Sequence, residues 1–286
     1  MEKITIITKP SAGYELIDSG GEEKLERFGE VVLARPDPQA LWKKGREEEW
    51  GKANGRFERE GRDGKWTGKL PKEWPVEFGG LTFLIKPTSF KHTGLFPEQL
   101  SNWQWGSELI KNAGREISVL NIFGYTGGAT LASAQAGASV THVDASKTSV
   151  AWARENAKLS GLQEKPIRWI TDDAITFLKR EIKRGVKYDA VVMDPPAFGH
   201  GPDGEVWKFE ENFLELLKLV QEVLSDKPLF VLVNGYAAGY SPLAFAYNLE
   251  QLIKKLGGSI EYGDLAIAES NSDRVLPCGI FARWKV

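Results

Sequence analysis

From residue 118 onward, short apolar runs alternate with longer stretches whose apolar residues recur every three or four positions. The first run is Ser118-Val-Leu-Asn-Ile-Phe123, followed by a glycine-rich turn and a small-residue helix over residues 129–136. Further runs at 139–144, 167–171, 188–194 and 229–233 predict strands. The stretches 147–160, 174–183, 209–224 and 242–256 predict the helices around them. Strands apolar on both faces, spaced by amphipathic helices, indicate a parallel sheet covered on both sides. Right-handed crossovers make that an α/β, doubly wound, Rossmann-like fold. The last two extended runs, 260–268 and 279–285, have no helix between them, so the final strand is expected to be antiparallel.

The first 90 residues follow a different pattern. Short extended candidates at 4–8, 14–18, 30–34, 56–60 and 76–85 are separated by Gly, Pro and Asp. Gly61-Arg62-Asp63-Gly64 reads as a hairpin tip and Gly79-Gly80 as another tight turn. The expected division is a small β-rich domain over 1–90 and an α/β domain over 91–286.

Composition removes several classes. A single cysteine excludes an internal disulfide framework, and with only 3 histidines a built-in zinc cage is not expected. No run is long and apolar enough to span a bilayer, and the N-terminus lacks a signal-peptide core, so a cytoplasmic, metal-independent protein is expected. A net charge of -2 gives no general pull toward nucleic acid. Locally the balance differs: residues 42–74 hold ten Lys/Arg against seven acids, with Trp42, Trp50, Trp66 and Trp74 among them. Basic residues with aromatics suit RNA, whose unstacked bases pair with flat side chains. The same composition also describes a solvated surface over a small tryptophan core.

In an open α/β sheet, ligands sit over the carboxyl ends of the strands where the strand order reverses. The first strand of the α/β part runs into Gly124-Tyr125-Thr126-Gly127-Gly128, where glycines permit positive φ and close backbone approach. Asp144 ends the next strand, 20 residues after Gly124, where a carboxylate can accept from both hydroxyls of a ribose. Tyr125 and Thr126 occupy the stretch where a pyrophosphate needs bare backbone, so a cofactor without phosphates is the better fit. After the third strand, Asp172-Asp173-Ala174 offers an acid for an adenine amine, or simply a helix N-cap.

The fourth strand ends in Asp194-Pro195-Pro196-Ala197-Phe198. The prolines fix φ and remove donors, and Pro195 forces Asp194 into an extended conformation. The loop would present a carboxylate, a carbonyl and a flat aromatic to whatever lies over the sheet.

With Leu120-Asn-Ile-Phe-Gly-Tyr-Thr-Gly-Gly-Ala129 and Val143-Asp-Ala-Ser-Lys147, this loop resembles class I S-adenosylmethionine-dependent methyltransferases related to bacterial 23S rRNA cytosine carbon-5 methyltransferases. Lys91-His-Thr-Gly-Leu-Phe-Pro-Glu-Gln99 is similar to the segment those enzymes place over the cofactor. The resemblance covers residues 86–286 well and the N-terminal part poorly. It implies a seven-stranded methyltransferase sheet and S-adenosyl-L-methionine as cofactor. It implies that Phe96 and Gln99 enclose the cofactor and that Gly124, Thr126 and Gly128 line its methionine end. Asp144 would hold the ribose, Asp173 the adenine, and Asp194 would face the reacting methyl.

One departure changes the chemistry. Carbon-5 methylation of a pyrimidine needs a thiolate to add at carbon 6, and the family places it just after the fifth strand. Here that loop is Asn234-Gly-Tyr-Ala-Ala-Gly-Tyr-Ser241, and the only thiol, Cys278, precedes the last strand. Direct transfer to nitrogen or oxygen is therefore expected. Asp194, Pro195 and Phe198 would carry it, with Asn234, Tyr236 and Tyr240 completing the acceptor pocket. RNA, as an rRNA base, is the leading substrate. A protein side chain, a small aromatic molecule or a non-catalytic cofactor-binding role are the alternatives.

Overall fold

The computed structural model describes residues 1–60, 63–236 and 239–286. The chain begins with β1 (Glu2–Thr8), β2 (Tyr14–Gly20), β3 (Glu23–Phe28) and β4 (Val31–Pro36), then the single turn α1 (Glu47–Trp50). Next come β5 (Gly55–Glu60), β6 (Asp63–Gly68), β7 (Trp74–Phe78) and β8 (Leu81–Ile85). A 3-10 turn at Pro97–Gln99 leads into α2 (Leu100–Asn112). The alternation follows as β9 (Ser118–Ile122), α3 (Gly128–Gln135), β10 (Ser139–Asp144), α4 (Lys147–Leu159), β11 (Ile167–Thr171), α5 (Ala174–Arg184) and β12 (Ala190–Met193). A hairpin of β13 (Phe198–His200) and β14 (Val206–Lys208) precedes α6 (Phe209–Val223), β15 (Phe230–Gly235), α7 (Pro242–Ile253), β16 (Ser259–Ala268) and β17 (Val275–Lys285).

Two compact units result. One comprises Met1–Ile6, Ser101–Leu265 and Gly279–Val286; the other comprises Ile7–Leu100 and Ala266–Cys278. The large sheet has the order β1-β16-β17-β15-β12-β9-β10-β11. Strands β9, β10, β11, β12 and β15 are parallel neighbours, and β17 runs antiparallel to β15, as expected. The seven expected strands are present, and β1 adds an eighth at the edge. Its alternation explains why: Ile4 and Ile6 pack against the core while Lys3 and Thr5 are exposed.

The sheet is buried on both faces because every second residue of its strands serves a different core. Ile122, Met193 and Val233 face a cluster containing Phe177 of α5, Leu216 of α6 and Leu249 of α7. Val119, Val192 and Leu232 face the cluster of Ile110 from α2 and Ala134 from α3. Burial of one such aliphatic or aromatic side chain is worth about 1.5–3 kcal/mol, so both helix layers are held by the strand sequence itself. The strand order reverses between β9 and its two neighbours β10 and β12, which sets the crevice over their carboxyl ends.

The other unit holds a five-stranded sheet, β2-β3-β4-β5-β6, and the separate hairpin β7–β8. Gly79 and Gly80 both take positive φ (62° and 77°), the geometry of the two-residue hairpin turn expected there. Of the hairpin tip expected at residues 61–64, Gly61 and Arg62 lie outside the described residues; the strands beside it pair antiparallel, Glu60 opposite Asp63. The four tryptophans of residues 42–74 are committed internally. Trp42, Trp66 and Trp74 donate their indole N–H to the carbonyls of Ser19, Thr88 and Phe28, and Trp50 donates to Asp18. Lys44 lies 3.7 Å from the centre of the Trp50 ring. Lys44 and Arg56 both pair with Glu23. The indole N–H groups thus tie the tryptophans into this unit's framework, with Trp50 buried and Trp42, Trp66 and Trp74 half-buried.

Candidate active site

The turn after β9 is built by backbone conformation. Phe123 and Tyr125 take left-handed φ values of 58° and 47°, and Gly127 follows at 90°. This brings the Tyr125 N–H to 2.8 Å from one oxygen of Asp144, while Ser146 N–H donates to the other at 2.8 Å. Asp144 thus stands at the end of β10 with each oxygen anchored once and with acceptor capacity left over. Burial raises its pKa above the ordinary aspartate value, and the two N–H bonds pull the other way.

Gly124 and Gly128 are required by packing beneath the turn. A Cβ on Gly124 would come within 2.5 Å of the His142 ring, and one on Gly128 would meet the Trp103 ring at 2.2 Å. The turn can therefore lie flat on these two rings. His142 is fully buried, bonded to Thr130 at 2.9 Å, and Thr130 accepts from Asn121 at 2.8 Å. Burial, aided by Arg154, drives the imidazole pKa down to about 3, so this wedge is neutral. Thr126 is buried, and its carbonyl accepts from Asn156 of α4 at 2.9 Å.

Asp173 caps α5, accepting from Thr176 N–H at 2.8 Å through Oδ1. Its neighbour Asp172 is paired with Arg180. Phe96 and Gln99 belong to the β-rich unit: Gln99 is buried in the 3-10 turn, and Phe96 meets His92 edge-on at 5.4 Å.

Asp194 follows β12, and its N–H reaches the Ile122 carbonyl at 3.4 Å. The loop beyond is pinned from behind. Trp207, buried in β14 and tilted against Phe123 at 4.9 Å, donates to the Pro196 carbonyl at 2.6 Å. Phe209 N–H takes the Ala197 carbonyl at 3.0 Å. Those two bonds fix the Pro196 and Ala197 carbonyls inward, beside the half-buried Asp194. Phe198 is 55% exposed, outside the core, with His200 beside it at 5.0 Å. Asn234 is buried with its amide oxygen bonded to Asn102, Tyr236 is exposed, and the Tyr240 hydroxyl donates to Glu210. Ala237 and Ala238, in the same loop, lie outside the described residues. The Cys278 thiol donates to the Leu276 carbonyl, and burial pushes its pKa well above the usual thiol value, the reverse of an activated nucleophile.

Sequence reasoning missed His142, Asn121, Trp103, Asn102 and Trp207. Two of them carried a readable signal. Asn121 and His142 interrupt apolar strands, they are direct partners across the β9–β10 ladder, and both are bonded to the Thr130 hydroxyl, the kind of partner a buried polar residue requires.

A parallel sheet with a reversed strand order, a flat turn at its switch point, an anchored carboxylate one strand over and an acid-proline-proline loop together define a class I methyltransferase. The chain matches the S-adenosylmethionine-dependent methyltransferase family over residues 54–245 and belongs to that family. A SAM-dependent methyltransferase from Agrobacterium tumefaciens shares the fold at a TM-score of 0.95 and 38% identity, over 99% of this chain and 95% of that one. The ribosomal RNA large subunit methyltransferase K/L of Shewanella sp. (strain MR-4) is 29% identical over 217 residues, 73% of this chain and 29% of its own length. Its counterpart in Shewanella baltica (strain OS155 / ATCC BAA-1091) is 31% identical over 158 residues, 54% and 21% respectively. The chain spans less than a third of the length of these curated relatives.

The protein is thus a methyltransferase that uses S-adenosyl-L-methionine. The residues present are compatible with that cofactor: Gly124 and Gly128 rest on the His142 and Trp103 rings, and the half-buried Asp144 carboxylate, with one backbone N–H on each oxygen, keeps acceptor capacity that could serve a ribose. Among the described residues no group of His, Cys, Asp and Glu is arranged to hold a metal ion, and no helix is long and apolar enough to cross a membrane.

Proposed function

We propose that the protein methylates a nitrogen or oxygen of a base in RNA, with ribosomal RNA as the leading class and the cytoplasm as its location. One observation carries this reading. The loop after β12 sets an exposed aromatic, Phe198, four residues from Asp194, with the intervening carbonyls of Pro196 and Ala197 tied into the protein. Such a loop suits a flat ring held edge-on to a carboxylate, and stacking on an aromatic is worth about 1–3 kcal/mol per base. The rRNA names of the Shewanella relatives support the choice of RNA.

When bound, the cofactor supplies a methyl group already activated on a sulfonium. Asp144 would hold its ribose, the turn Gly124–Gly128 its amino-acid end, and the free oxygen of Asp173 its adenine amine. Asp194 and the Pro195 carbonyl would accept from the substrate's amine and aim its lone pair. Alignment of this kind can contribute about 7–11 kcal/mol to lowering a barrier. The raised pKa of the Cys278 thiol supports direct transfer over a covalent route. The β-rich unit would select the RNA through exposed cations such as Lys43, Lys69 and Lys72.

Asp194→Ala is expected to lower the rate of methyl transfer on the order of 100-fold, the scale of a misplaced reactant, with cofactor affinity measured by calorimetry little changed. Undiminished turnover would remove Asp194 from the reaction.

A further inference from the structure

A buried polar chain ends beside Asp194. Arg283 of β17 donates Nη1 to Asn102 Oδ1 at 3.1 Å, and Asn102 of α2 donates Nδ2 to Asn234 Oδ1 at 3.0 Å. All three residues are buried, exposed by 8%, 1% and 4% in that order. Arg283 is fixed in turn: its Nε donates to Glu261 at 2.8 Å, and its guanidinium lies over Trp105 and Phe281 at 4.7 and 5.2 Å.

Chemistry gives this chain a direction. A guanidinium has five donors and no acceptor, whereas an amide has an oxygen that accepts and an NH2 that donates. Asn102 must therefore turn its oxygen to Arg283 and its NH2 to Asn234. Asn234 must then turn its oxygen back to Asn102, and what it retains for a ligand is its NH2. The Arg283 charge thus sets the polarity of a side chain two residues away in space.

Register places that NH2 at the site. Met193 pairs with Val233 as the last partners of parallel β12 and β15. Asp194 is the first residue beyond β12, and Asn234, the next residue of β15, is still paired with Phe281 of β17, so adjacent strand ends set an acceptor next to a donor. We propose that Asn234 is a specificity-determining donor which, with Asp194, reads a substrate edge bearing an exocyclic amine beside a ring nitrogen or carbonyl. Asp194 takes the amine N–H, and Asn234 donates to the neighbouring acceptor. The substrate half of this inference rests on the base-methylation reading above; the polarity of Asn234 does not.

Two variants test it. Asn234→Asp replaces the donor with an acceptor. Asn102→Asp leaves Asn234 intact but offers it only acceptors, so Asn234 must turn its NH2 inward and present its oxygen. Both are expected to lower kcat/KM for in vitro transcribed large-subunit rRNA at least 30-fold while the Kd for S-adenosyl-L-methionine changes less than twofold. Retention of wild-type kcat/KM by Asn102→Asp, or an equal loss of cofactor affinity, would overturn the proposal. The second readout is hydrogen exchange of the Asn234 side-chain NH2 by 15N NMR, assigned through its disappearance in Asn234→Asp. Fast exchange in the wild type and slowed exchange in Asn102→Asp is expected; protection in the wild type would overturn the polarity. If the wild-type protein transfers no methyl to RNA, the base-methylation reading and its substrate edge fall together, and NH2 exchange alone decides whether Asn234 is a donor.

Discussion

Asp144 is a carboxylate that the protein anchors yet leaves costly to charge. Tyr125 and Ser146 N–H groups hold its two oxygens, but burial dominates and raises its pKa. Two consequences have opposite signs. The folded protein holds this proton more tightly than the unfolded chain, so Asp144 lowers stability as pH rises through the folded value. If Asp144 holds the ribose as proposed, binding uses the ionised acceptor, so cofactor affinity is expected to fall as pH drops, at a pH above the ordinary aspartate range. Asp144→Asn should weaken the cofactor Kd by about 1.5–3 kcal/mol, the worth of a charged hydrogen bond, and flatten its pH dependence. Calorimetry across pH checks both, and a pH-dependent Kd unchanged in Asp144→Asn would be against it. Asp144 was legible because spacing from a glycine turn to a strand end is fixed by one βαβ unit. Asp173 was legible only as a choice between two jobs; the bond to Thr176 establishes the cap, and its adenine contact stays a proposal.

Strands and helices of the α/β part could be read from the sequence because each strand feeds two cores and each helix one. The hairpin β13–β14 was not. Its register alternates exposed Phe198, His200, Val206 and Lys208 with Gly199 and buried Trp207, and so short a strand carries almost no periodic signal. Strands β3 and β6 were hidden by their charge, since Glu23-Lys-Leu-Glu-Arg-Phe28 reads as surface although Leu25, Glu26 and Phe28 are buried. The glycine turn teaches a different lesson. Its glycines were expected for the sake of a ligand, yet the contacts that forbid a side chain come from His142 and Trp103. Gly124→Ala should therefore destabilise the protein by about 1–3 kcal/mol through overpacking. In a His142→Ala background the same change should cost less, because the ring it strikes is gone. Denaturant unfolding of the four proteins measures this coupling; additive effects would mean that the turn does not rest on His142.

At the level of the whole chain, ionisable groups gather inside the β-rich unit. Glu26 pairs with Arg35 and Lys24 and accepts from the Tyr14 hydroxyl. Glu98 is also buried there, and desolvation raises its pKa to about 7, with Lys24 and Arg35 opposing and Glu26 reinforcing the shift. For a carboxyl raised from about 4.5 to about 7 on folding, stability declines as pH rises between those values. Glu98→Gln should then be more stable than the wild type at pH 8, by up to a few kcal/mol, and closely similar at pH 4. Urea unfolding at both values decides it, and an equal difference at the two pH values would exclude Glu98 as the cause. None of this cluster was visible in sequence, because Tyr14, Lys24, Glu26 and Arg35 meet only when β2, β3 and β4 pair, and Glu98 comes from the distant 3-10 turn. Fold and cofactor were legible, as was the place of the acid-proline-proline loop at the end of β12, because each depends on neighbours in sequence. The polar chain from Arg283 to Asn234 was not, since it joins residues 181 and 132 positions apart.

The substrate decides whether this reading of the site holds. The full-length chain, given S-adenosyl-L-methionine labelled in its methyl group, should be offered unmodified large-subunit rRNA and, separately, total cellular protein. Label should enter the RNA, disappear from acid-insoluble material after RNase, and be lost with Asp194→Ala. Label that resists RNase and yields to protease, or RNA labelling indifferent to Asp194, would contradict it.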